Sequence, residues 1–134
     1  MTGGDLVVLD AWPIMALLRN EPAGPVVAEW IGRSQAVASW VNAGEVYYLI
    51  ARDDGREAAR RAVRSLRAAV RLEEPDGNLV LGAADLKAAG GLSYADCFAV
   101  ATARRHQAPL LTGDPEIIAN PGDVEVIDPR PHGS

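Results

Sequence analysis

Short apolar segments alternate with helix-patterned stretches along the whole chain, and that alternation restricts the fold more than any other feature. Strands are expected near 6–10, 35–38, 70–74, 109–112 and 124–127. Helices are expected between them, near 13–20, 25–32, 40–52, 55–69, 77–89 and 94–106, with a short one at 115–118. Strands separated by helices favour a parallel sheet, because a parallel pair needs a crossover of a dozen or more residues. The expectation is an α/β fold with a central five-stranded sheet of order 3-2-1-4-5, helices covering it. Local signals agree. Pro13 suits a first helical turn, Ser39 and Asp76 can cap the helices that follow them, and Gly90-Gly91 can end one. Trp30, Trp40, Tyr47 and Tyr48 are expected to pack into the core.

Four acidic residues interrupt this apolar pattern. Asp10 ends the run Leu6-Val7-Val8-Leu9, and Asp114 follows Leu110-Leu111-Thr112-Gly113. Glu45 shares a helix face with Val41, Tyr48 and Leu49, while Asp96 sits beside Ala99, Val100 and Ala103. Ser93-Tyr94-Ala95-Asp96 also fits a capping pattern, so Asp96 serves as both cap and ligand only if its side chain turns inward. Taking a carboxylate out of water costs several kcal/mol. Two of them about 4 Å apart add roughly 4 kcal/mol of repulsion at an effective dielectric near 20. In open parallel sheets the ligand crevice lies beyond the strands' carboxyl ends, where strand order reverses. Asp10 and Asp114 would flank it. If the four acids converge there, a divalent cation is the simplest neutraliser.

Composition removes several other functions. Hydrophobic residues make up 49% of the 134, yet no apolar run approaches the roughly 20 residues of a membrane span. No segment has the basic start, apolar core and cleavage site of a secretion signal, so a cytoplasmic protein is the expectation. The one cysteine, Cys97, forms no internal disulfide and lies among apolar neighbours. His106 and His132 are too scattered for a zinc site. The tail 128–134 is expected to be flexible.

Net charge is −5, which argues against indiscriminate nucleic-acid binding. The basic residues are unevenly spread, however. Arg56, Arg60, Arg64, Arg67 and Arg71 recur at helical spacing on one face. That face reads either as a solvated surface or as a local track for a phosphate backbone or an acidic partner.

The segments Val7-Val8-Leu9-Asp10, Asn42 with Glu45, Gly91-Leu92-Ser93-Tyr94-Ala95-Asp96 and Leu110-Leu111-Thr112-Gly113-Asp114 occur in the order seen in PIN-domain proteins. The chain most resembles the small VapC toxins of VapBC toxin–antitoxin modules, over nearly its full length. The resemblance implies a single PIN-like domain over 1–134 with three layers and a parallel five-stranded sheet. It implies a Mg²⁺- or Mn²⁺-dependent endoribonuclease with Asp10, Glu45, Asp96 and Asp114 as its acidic site, supported by Asn42 and Thr112. It also implies a homodimer held inactive by a cognate antitoxin. The chain departs from the family at Ala11-Trp12, where a hydroxyl residue usually follows the first aspartate. Trp12 either packs in the core or stacks on an RNA base.

A competing reading is a catalytically silent interaction module whose acidic pocket receives an arginine from a partner protein. A phosphate-accepting receiver domain is disfavoured. It would need an acidic pair at the first strand's end and a lysine after the fifth, whereas the sole lysine is Lys87.

Overall fold

The computed structural model describes residues 5–131. Five strands are present: β1 (Leu6–Leu9), β2 (Gln35–Ser39), β3 (Arg71–Glu73), β4 (Leu110–Leu111) and β5 (Val126–Ile127). They form one sheet in the order β3-β2-β1-β4-β5, every pair parallel. This is the expected 3-2-1-4-5 arrangement. Strands β4 and β5 are shorter than expected, because the pairing of Leu110 with Val126 and Leu111 with Ile127 is the whole of their shared ladder.

The helices are α1 (Ala11–Leu18), α2 (Gly24–Arg33), α3 (Trp40–Asp54), α4 (Arg56–Ala69), α5 (Gly77–Ala89), α6 (Tyr94–His106) and the short α7 (Pro115–Ala119). Helix α1 begins two residues before the expected start. Its first turn contains Pro13 as its third residue, where a missing N–H still costs nothing. Ser39 Oγ accepts from the Val41 amide at 3.1 Å, and Asp76 accepts from the Leu79 amide at 2.9 Å, so both expected caps form. Gly90 ends α5 at φ 91°, a conformation that L side chains rarely adopt.

Side chains alternate across the sheet. Val7, Leu9, Ala36, Ala38 and Leu111 face a core built with α1 to α4, while Val8 and Leu110 face a second core built with α5, α6 and α7. Burial on both faces explains why the strands read as continuous apolar runs. Trp30, Trp40 and Tyr47 pack against the first core as expected, but Tyr48 is 56% exposed. Cys97 is fully buried. At the chain's end Pro129 is buried and Asp128 pairs with Arg130 at 2.7 Å, so the beginning of the expected flexible tail packs on the domain. His132 lies outside the described residues. No described helix is long and apolar enough to cross a membrane.

Strand β1 is the switch point. The chain steps from it to β2 and β3 on one side, then returns to place β4 and β5 on the other. The crevice beyond the carboxyl ends of β1 and β4 is therefore open to a ligand.

Candidate metal centre

Asp10 leaves β1 at the residue that would cap α1. Its backbone is extended there, yet its carboxylate makes no capping bond. Thr112, just past β4, donates its hydroxyl to Asp10 Oδ2 at 3.0 Å instead. The same Thr112 oxygen accepts from the Asp114 amide at 3.0 Å, which fixes the turn between the two acids. Asp114 caps α7 by accepting from the Glu116 amide at 2.8 Å. Asp96 lies in the first turn of α6, whose cap is Ser93 Oγ accepting from the Asp96 amide at 3.2 Å. Its side chain turns inward, leaving the residue only 5% exposed.

These three aspartates converge. Each offers an oxygen, and the three oxygens lie within 4.8 Å of one another. No arginine or lysine bonds to any of them among the described residues. Asp10 is 1% exposed, and its Oδ1 has no hydrogen-bond partner among the described residues. A buried, unpartnered carboxylate oxygen is expensive unless a cation completes it. Oxygen-only ligands suit hard ions such as Mg²⁺ and Mn²⁺. The residues present therefore fit a divalent metal.

Protonation behaviour agrees with that crowding. Burial raises the Asp10 pKa well above the carboxylate range, opposed by the Thr112 hydrogen bond and reinforced by Asp96 and Asp114. Burial, with the charge of Asp114, pushes Asp96 up to about 6 against the hydrogen bonding from Ser93. Glu45 is raised too, first by burial and then by Asp96 and Asp114.

Glu45 stands outside the three-oxygen set but lines the same cavity of about 260 Å³. Of the neighbours expected on its helix face, Val41 and Leu49 are partly buried, while Tyr48 is exposed. Asn42 is fully buried and donates to the Ala95 carbonyl at 3.1 Å, tying α3 to the first turn of α6. Its own carbonyl oxygen is left without a partner among the described residues.

Trp12 is half-buried and lines the cavity rather than the core interior. Its ring lies flush on Gly113, where a Cβ would come within 2.6 Å of the indole. The tryptophan thus covers the turn that carries Asp114, and only glycine fits beneath it.

One contributor, Glu21, escapes a reading of the sequence. Glu21 lines the cavity from the loop after α1, brought back by a left-handed Asn20 at φ 54°. The asparagine before Glu21-Pro22 is the only local signal for that turn. Glu116, in α7, adds charge that raises the Asp96 pKa. Arg56, Arg60, Arg64 and Arg67 belong to no part of this centre; they line or flank a separate surface on α4.

Comparison with known proteins adds a family. The family model for the PIN domain matches residues 7–122. No curated protein is a significant sequence match. Among solved structures, VapBC-1 from nontypeable Haemophilus influenzae superposes with a TM-score of 0.72 at 19% identity, covering 92% of this chain and 98% of that one. DNA-bound VapBC from Salmonella typhimurium gives 0.73 at 14% identity, over 93% and 98%. Mycobacterium tuberculosis VapC20, described as a sarcin–ricin loop cleaving toxin, gives 0.68 at 18% identity, over 85% and 95%. At these identities the likeness is one of fold.

Proposed function

This chain belongs to the PIN-domain family, and from that premise we propose that it is a divalent-metal-dependent endoribonuclease, the toxin of a toxin–antitoxin pair. The observation that carries this reading is the convergence of Asp10, Asp96 and Asp114, with one buried oxygen of Asp10 left open. Those three residues would hold Mg²⁺ or Mn²⁺. Held there, such a cation would supply an activated water and charge neutralisation at the phosphodiester.

The chain's own groups do the remaining work. Thr112 holds one Asp10 oxygen and leaves the other free for the site. Glu45 lines the same cavity as the three ligands, a place from which it can take the water's proton as general base. Asn42 sets Glu45 against Asp96 by bridging their helices. Trp12 and Leu49 give the cavity apolar walls, and Trp12 presents a ring on which a base can stack. Water rather than the ribose 2′-hydroxyl is the nucleophile, so the products carry 5′-phosphate and 3′-hydroxyl ends.

A cognate antitoxin, a homodimer and a cytoplasmic setting complete the proposal. The solved neighbours described as VapBC complexes support the antitoxin. The neighbour described as cleaving the sarcin–ricin loop supports RNA as substrate. The test is to incubate purified, partner-free protein with total RNA, with and without Mn²⁺ or Mg²⁺, and to map the cut ends. Metal-dependent cuts bearing 5′-phosphates, absent in Asp10→Asn, are expected. Cleavage that survives full chelation, or persists in Asp10→Asn, would refute the mechanism.

A further inference from the structure

The chain has 13 basic residues, and the fold treats them in two ways. Outside α4, seven arginines lie in ion pairs with carboxylates. Lys87 donates to the Leu92 carbonyl at 3.0 Å. The other five are Arg56, Arg60, Arg61, Arg64 and Arg67, all on α4 and all exposed. None of them has a carboxylate in ion-pair range among the described residues.

Four of these line up. Arg56, Arg60 and Arg64 follow one another every four residues, a step of about 6 Å along a helix, and Arg67 extends the row by about one turn. Like charges at that spacing repel, so the row weakens the helix that bears it. Aromatic rings of α3 flank it. Tyr47 shares a groove of about 590 Å³ with Arg60, Arg64 and Arg67. The Arg67 guanidinium lies 5.6 Å from the centre of the Trp40 ring. Hydrogen bonding from Arg60, then Arg56, holds the Tyr47 hydroxyl below its usual pKa.

The groove also has a fixed relation to the acidic cavity. Helix α3 sends Glu45 into the cavity and Tyr47 into the arginine groove. Residues two positions apart on a helix differ by about 200°, so Glu45 and Tyr47 leave α3 on nearly opposite sides of a helix roughly 10 Å across. A polyanion approaching a carboxylate-lined cavity on a protein of net charge −5 is repelled. A separate cationic surface within reach of the same strand offsets that repulsion.

We propose that the arginine row of α4, with Tyr47, is an exosite that grips the phosphate backbone of the RNA substrate away from the scissile bond. Regular cation spacing with an aromatic ring in the same groove fits a sugar–phosphate chain and its bases. The proposal rests on the nuclease reading for its substrate class, but its test does not depend on cleavage.

The test uses the full chain and the double variant Arg60→Gln/Arg64→Gln, both exposed positions where glutamine keeps good helix propensity. Binding of a fluorescent single-stranded RNA is followed by anisotropy in chelator across a salt series. The double variant should bind about tenfold more weakly or worse, and its slope of log K against log salt should fall by about 1.4, the value for two lost contacts. With Mn²⁺, KM for a long RNA should rise by the same factor at unchanged kcat, while a short oligonucleotide is cut as before. Asp10→Asn should lose cleavage and keep RNA binding with its full salt slope. Equal affinity and equal slope in wild type and double variant would overturn the exosite. So would intact RNA binding combined with lost binding of poly-glutamate, which would assign the row to an acidic protein partner. If wild type binds RNA through the row yet cuts nothing with Mn²⁺, the exosite stands and the nuclease reading fails.

Discussion

Replacing Asp96 by Asn should stabilise the metal-free protein, and by an amount the structure sets. The carboxylate is almost fully buried and faces Asp114, which moves its pKa from 3.8 to about 6. An acid whose folded pKa is raised opposes folding when ionised, so its destabilisation is complete above the folded pKa. The stability returns as pH falls from about 6 towards the ordinary value of 3.8, because the native state then binds the extra proton. That displacement corresponds to about 3 kcal/mol. Asn weakens the hydrogen bonding from Ser93, which offsets about 1 kcal/mol. The net gain of about 2 kcal/mol should raise Tm by roughly 7 °C for a chain of this size. The assay is thermal unfolding by circular dichroism in excess chelator at pH 7.5 and pH 4.5. The variant should melt higher at pH 7.5, and the gap should close by pH 4.5. Saturating Mn²⁺ should reverse the order, since a ligand at 100 times its Kd stabilises by about 2.7 kcal/mol and the variant lacks one of its donors. A variant that melts no higher than wild type at pH 7.5 without metal, or a gap that ignores pH, would refute the reasoning.

Other perturbations separate the remaining roles. Glu45→Gln should abolish cleavage and change Mn²⁺ affinity by less than about threefold, measured calorimetrically, if the side chain acts as base and not as ligand. Gly113→Ala should weaken Mn²⁺ binding, because the new Cβ would meet Trp12 at 2.6 Å. In a Trp12→Ala background the same change should be nearly neutral, giving a coupling of about 1 kcal/mol or more in the double-mutant cycle. Asn42→Ala leaves the Ala95 carbonyl without its donor and should cost about 1–3 kcal/mol in urea unfolding.

The sequence exposes the fold wherever burial is two-sided. Val7-Val8-Leu9 reads as a central strand because both sheet faces bury it, and the caps Ser39, Asp76 and Ser93 mark helix starts that the structure reproduces. Strand ends are less legible, as β4 and β5 are limited by how far two short segments pair. The three aspartates are visible as charges in apolar surroundings. Their mutual distance is not, since it depends on sheet order and on the Asn42 tie between α3 and α6. The helical wheel around Glu45 holds for Val41 and Leu49, which are partly buried, and fails at Tyr48, which α3 leaves exposed. Glu21 escapes because its position comes from a single left-handed turn at Asn20. The fit of Trp12 on Gly113 joins residues from separate segments and leaves no periodic trace.

Anomalous diffraction from crystals grown with Mn²⁺ bears most directly on the claim that these carboxylates are a metal centre. A manganese peak is expected within bonding distance of oxygens of Asp10, Asp96 and Asp114, at about 2.0–2.3 Å, and it should be lost in Asp10→Asn. Manganese bound elsewhere, with the three side chains still apart at millimolar metal, would contradict it.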